Sequence, residues 1–165
     1  MSPRTRRLIR DRAGRRCEYC LFHEEDLPLW PFHLDHVVAV QHAGPDDPAN
    51  LAWACQRCNL RKGTNLSAID PDSAQVVRLF NPRGDRWADH FIIESNRIAG
   101  LSSAGRATVW LLQMNSAVGG RRRSSSGAPP RLSAPGLCGW IGNSDAALAS
   151  RRRRAPLRAH RFHRA

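Results

Sequence analysis

The sequence predicts a small α+β fold: a metal-clamped β-hairpin that runs into a helix, with further helices and short strands around it. Three observations predict it. Two Cys-x-x-Cys pairs, Cys17/Cys20 and Cys55/Cys58, lie far apart in the chain, and each can turn two sulfurs toward one ion. Between them, Phe32 to Val40 alternates and is rich in Val and Phe, and Asn50 to Ala54 is a second short apolar stretch. The second pair continues into Asn59-Leu60-Arg61-Lys62, which reads as a helix opening, and Gly63 stops it. The order is knuckle, strand, loop, strand, knuckle, helix.

At 165 residues the chain is one domain by size, with room for a modest core. The formal net charge of +12 suggests a nucleic-acid partner, but it is unevenly placed. Residues 1–115 hold 15 Lys+Arg against 13 Asp+Glu, whereas residues 116–165 hold 11 Arg against Asp145 alone. The body is therefore nearly neutral. No apolar run approaches the roughly 18 residues of a membrane span, and no apolar segment follows the basic N-terminus. The expectation is a cytoplasmic chain with no secretory leader, in which paired cysteines hold metal rather than disulfides.

Taken in order, Pro3 to Ala13 fits a short helix with Gly14 at its C-terminal cap. Arg4, Arg6, Arg7, Arg10, Arg12, Arg15 and Arg16 load this region with charge. It reads equally well as a solvated face or as a contact with nucleic-acid backbone. His23 to Pro31 is acidic, contains proline and should be a loop, as should Gln41 to Ala49 with its Gly-Pro pair. Val76 to Phe80 and His90 to Glu94 read as strands around the turn Asn81-Pro82-Arg83-Gly84. Ser95-Asn96 suits a hairpin turn into Arg97-Ile98, and Ser102 or Ser103 can cap a helix running to about Met114.

From Ser116 onward Gly, Ser, Pro, Ala and Arg dominate and hydrophobic periodicity vanishes. Such a composition cannot bury a core, so 116–165 is expected to be a disordered Arg-rich tail. It reads either as a polybasic arm on phosphates or as an unselected tail, such as out-of-frame translation of a GC-rich gene would produce. The abrupt shift after Asn115 favours the second.

Cys17-x-x-Cys20, Leu34-Asp35-His36-Val37, Asp47-x-x-Asn50-Leu51 and Cys55-x-x-Cys58-Asn59-x-x-Lys62-Gly63 together resemble the HNH endonucleases. The resemblance is specific over 17–63. The flanks 3–16 and 64–115 look like the small bacterial stand-alone members; the tail is not covered. The resemblance implies the ββα-metal nuclease fold, a nuclease domain over 1–115, and DNA as substrate. It also implies the site. His36 would be the general base, suited by an imidazole pKa near about 6.5. Asp35 and Asn59 would hold a catalytic Mg²⁺ or Mn²⁺ through oxygen. Asn50, the middle residue of the family name, would tie the hairpin loop and orient His36. Cys17, Cys20, Cys55 and Cys58 would hold a structural Zn²⁺, while Arg61 and Lys62 would meet phosphate.

On a regular strand Asp35 and His36 face opposite sides, so a twist or bulge is expected to bring them together. Among the other histidines, His33 reads as a partly buried strand residue and His42 as an exposed loop residue. His23 could replace a cysteine ligand, but four thiolates already complete a tetrahedral site. His90, His160 and His163 show no constellation, and Cys138 reads as a plain thiol. Two other readings compete: a zinc-stabilised nucleic-acid-binding module without catalysis, and a redox dithiol protein, which this spacing disfavours.

Overall fold

The computed structural model describes residues 1–116. The expected tail, with its alternative readings and with Cys138, His160 and His163, lies outside the described residues. Within them the chain mixes four α-helices with six short strands arranged as three antiparallel pairs.

Helix α1 spans Pro3–Arg12. Ser2 caps it by accepting from the Thr5 amide, Pro3 occupies the first turn where its missing N–H costs nothing, and Gly14 leaves it at φ +57°. The helix buries Ile9. Arg4 and Arg7 are exposed, whereas Arg6, Arg10 and Arg12 clip α1 to the elements beneath it. Arg6 donates to the Phe32 carbonyl and lies 4.7 Å from the Trp53 ring centroid. Arg10 forks onto Glu24, and Arg12 reaches the carbonyls of Pro48 and Leu51. Arg15 bridges to Glu24 and Glu25, and Arg16 donates to the Leu21 carbonyl. The acidic loop 23–31 is thereby explained: it supplies counter-charges to α1, and a single 3₁₀ turn, Glu24–Asp26, presents them.

Strands β1 (Phe32–His36) and β2 (Leu51–Cys55) form the central hairpin, paired from Phe32 opposite Cys55 to His36 opposite Leu51. Helix α2 (Gln56–Lys62) follows without a break. Gly63 ends it at φ +50°, ψ −125°, a conformation open to glycine. Strand β1 is shorter than the alternation suggested. The Val37 amide still keeps the hairpin register by donating to the Asn50 carbonyl, and only then does the chain leave for two 3₁₀ turns, Val40–His42 and Pro48–Asn50.

The remainder packs against this unit. Strands β3 (Ser67–Ile69) and β4 (Val76–Arg78) pair, as do β5 (Phe91–Glu94) and β6 (Arg97–Gly100). The β5–β6 turn is Ser95-Asn96, both at positive φ, the geometry that fits a two-residue hairpin. Helix α3 is a single turn, Trp87–His90, and α4 spans Ser103–Leu112 with Ser102 accepting from the Gly105 amide. One core joins these parts: Ile9, Tyr19, Phe32, Trp53, Phe80, Trp87, Phe91, Ile98 and Leu112 are buried together with the four cysteines. Among the described residues no helix is long and apolar enough to cross a membrane.

Candidate metal centre and hairpin site

The four cysteines come from two turns and meet in the core. Cys17 and Cys20 flank a turn closed by the Leu21 amide on the Cys17 carbonyl. Cys55 ends β2 and Cys58 sits in the first turn of α2. All four are buried, and one sulfur from each falls within 4.8 Å of the others. Cys20 Sγ and Cys55 Sγ are 3.7 Å apart. Zinc–sulfur bonds of about 2.3 Å in a tetrahedron require sulfurs about 3.8 Å apart, so the spacing suits zinc. Burial pushes the Cys17 thiol well up, and the neighbouring sulfurs do the same to Cys58. A bound divalent ion would take the place of the thiol protons. His23 is not part of the cluster, because its Nδ1 accepts from the Glu25 amide and caps the 3₁₀ turn.

Asp35 and His36 leave β1 on opposite faces. The one-to-one pairing across the hairpin contains no bulge, so the expected local distortion is absent. Asp35 points inward and is 4% exposed. The Tyr19 hydroxyl donates to its Oδ2 at 2.6 Å and Lys62 Nζ to its Oδ1 at 3.2 Å. Burial raises the Asp35 carboxyl above its ordinary value, while the Lys62 charge and the Tyr19 and Lys62 hydrogen bonds hold part of that rise back.

Lys62 itself is 2% exposed and also donates to the His36 carbonyl at 2.7 Å. Expected on the surface beside Arg61, it is instead the internal counter-ion of Asp35. Helical geometry explains this: α2 turns Cys58 and Lys62 toward the hairpin and leaves Leu60 and Arg61 outside. Asn59 lies on the same helix, three residues before Lys62, half-buried and with no side-chain hydrogen bond among the described residues.

His36 points the other way. Its side chain keeps 20% exposure, and Nε2 meets Asp46 Oδ1 at 2.6 Å. A carboxylate oxygen only accepts, so Nε2 donates in this bond, and in the neutral ring that makes Nδ1 the acceptor. Sequence reasoning missed Asp46. It stands beside Asp47, whose carboxylate caps the Pro48–Asn50 turn instead, and nothing in the Asp-Asp pair says which acid faces the histidine.

Asn50 closes the loop that carries Asp46. Its Oδ1 accepts from the Val38 amide at 2.9 Å, and its Nδ2 donates to the carbonyls of Val38 and Pro45 at 2.9 and 3.0 Å. Gly44 is required by the same closure, since a Cβ there would lie 1.7 Å from the Val38 oxygen. His42 bonds the Thr64 carbonyl at 3.1 Å, tying the loop to the end of α2. His33 is half-buried with its Nε2 unpartnered among the described residues. Arg57 reaches the carbonyls of Met114 and Ser116, so it fixes the chain after α4 to α2.

The knuckles, the hairpin, the Asn50-closed loop and the following helix are the part of the chain that known proteins share. Residues 17–65 match the family model of HNH endonucleases. The family resemblance drawn from Asp35-His36 and the two cysteine pairs is therefore shown over that stretch. No curated protein and no solved structure matches the chain at a significant level.

Proposed function

We propose that the chain is a metal-dependent endonuclease that hydrolyses phosphodiester bonds in DNA, with residues 1–115 as the nuclease domain on a ββα-metal scaffold. The observation that carries this reading is His36: accessible at the end of β1, with Nε2 on Asp46 and Nδ1 open to accept a proton. His36 takes the proton from a water as that water attacks phosphorus in line with the leaving oxygen. Asp35 and Asn59 would hold Mg²⁺ or Mn²⁺ through hard oxygen donors, which suit such ions. Bound there, the ion stabilises charge on the transferring phosphate and the leaving oxygen. The donor set fits a cation, since Asp35 already draws the Lys62 ammonium to Oδ1. Arg61, exposed on α2 and without an acidic partner among the described residues, is available to meet substrate phosphate.

One observation favours the alternative of a non-catalytic zinc-stabilised binding module: Asp35 is enclosed, with both oxygens engaged. Plasmid nicking in Mg²⁺ or Mn²⁺ separates the two. His36→Ala should abolish nicking while leaving zinc content and the melting temperature unchanged. Equal nicking by wild type and His36→Ala removes the nuclease reading, and nicking that persists in a chelator which spares the zinc removes the second metal.

A further inference from the structure

We propose that Tyr19 is a positioning residue that links the four-cysteine centre to divalent-cation binding at Asp35. This rests on the reading of Asp35 as a ligand of that cation. Tyr19 is the second of the two residues between the cysteines of the first knuckle, and it is fully buried. Its hydroxyl donates to Asp35 Oδ2 at 2.6 Å, the shorter of the two bonds to that carboxylate. Nothing about its own place is loose. The knuckle holds its backbone on both sides, Trp87 Nε1 donates to its carbonyl at 3.0 Å, and Phe80 packs edge-on against its ring.

The hydroxyl therefore fixes one carboxylate oxygen of Asp35 with the rigidity of the cysteine cluster, leaving Oδ1 as the oxygen a cation can share or take over from Lys62. A cation ligand held by a pre-set donor loses little freedom when the ion arrives, which is why groups behind a ligand affect affinity without touching the ion. The cysteine centre thus does more than close the fold. It sets the aim of the carboxylate at the neighbouring site.

Full-length zinc-loaded protein is titrated with Mn²⁺, followed by the EPR signal of the free ion, for wild type, Tyr19→Phe, Trp87→Phe and Asp35→Asn. Asp35→Asn should abolish the site. Tyr19→Phe keeps the ring and the zinc content but should weaken Mn²⁺ binding by about ten-fold or more. The Mn²⁺ concentration for half-maximal nicking should rise in step, with the rate at saturating Mn²⁺ largely recovered. Trp87→Phe removes one brace on the Tyr19 backbone but spares the hydroxyl, so it should weaken Mn²⁺ binding far less than Tyr19→Phe does. Unchanged affinity in Tyr19→Phe, or equal losses in Tyr19→Phe and Trp87→Phe, overturns the proposal. Mn²⁺ binding that survives Asp35→Asn overturns instead the underlying reading of Asp35. A second measurement needs no Tyr19 variant. The chain has one tyrosine, so a ¹³C label at its ζ carbon gives a single resonance. Saturating Mg²⁺ should shift that resonance in wild type and not in Asp35→Asn; a wild-type resonance that does not move also refutes the link.

Discussion

Replacing Asn50 tests whether one amide holds the loop that presents His36. In the native loop Asn50 makes three side-chain hydrogen bonds, one accepted from the Val38 amide and two donated to the carbonyls of Val38 and Pro45. Each such bond contributes a net 0.5–1.5 kcal/mol, so Asn50→Ala should cost roughly 3 kcal/mol. For a domain of this size that corresponds to a fall in melting temperature of roughly 10 °C. Asn50→Asp is the sharper variant. One carboxylate oxygen can still accept from Val38, but the other faces two carbonyl oxygens at the 2.9 and 3.0 Å where Nδ2 now donates. Only the protonated carboxyl can donate there, and to one carbonyl at a time. Its folded-state pKa is therefore raised above the unfolded value of about 3.9. A raised pKa gives stability that is present at low pH and lost as pH rises through the folded value.

Asn50→Asp should thus be less stable than Asn50→Ala near pH 8 and should close or reverse that gap toward pH 5. Thermal melts of both variants in excess zinc, at matched pH, measure the difference. Exchange of the Val38 amide, followed by NMR, locates the loss. Because Asp46 hangs from the same loop, nicking should fall in both variants. A difference between the variants that does not change with pH refutes the assignment of the two donated bonds. So does a Val38 amide as protected in Asn50→Ala as in wild type.

Removal of the ion from the cysteine cluster, by a strong zinc chelator or by Cys55→Ser, should unfold the hairpin and α2 together, read as loss of far-UV dichroism and of Trp53 burial, because the cysteines are part of the core. Arg12→Ala should destabilise by about 1–2 kcal/mol through its bonds to Pro48 and Leu51, whereas Arg4→Ala and Arg7→Ala should stay within about 0.5 kcal/mol, all by chemical denaturation. Asp70 is held well below the carboxylate range by the Arg106 fork, with Ser73 assisting. A depressed pKa gives stability that is complete above the unfolded value of about 3.9 and lost as pH falls below it. Asp70→Asn should therefore flatten the acid limb of the stability curve below about pH 4, and an unchanged limb counts against the fork.

What could be read from the sequence was local. Ser95-Asn96, Gly63 after α2, Ser102 before α4 and the two cysteine knuckles each carry their conformation in one or two residues, and the structure places each as expected. The partners of the α1 arginines could not be read, because charge pairing is set by distant packing. Arg12 meets carbonyls at Pro48 and Leu51, and buried Glu18 is paired with Arg83 far along the chain. The same limit hid Lys62, since only the rotation of α2 against the hairpin turns it inward. Strand β3 was missed for a different reason: three residues, Ser67–Ile69, are too few to show a period.

The Asp35-His36 pair shows how far adjacency in sequence misleads about a site. With β1 regular, the two side chains diverge: one to the knuckle tyrosine and α2, the other to the loop before β2. On the proposed reading they serve one phosphate only across the end of the strand. Lys62 closes that end, since its ammonium bonds both the Asp35 carboxylate and the His36 carbonyl. A cation that displaced Lys62 from Asp35 would thus also loosen its hold on the His36 backbone. On the proposed reading, metal entry and the position of His36 would be coupled through this one lysine.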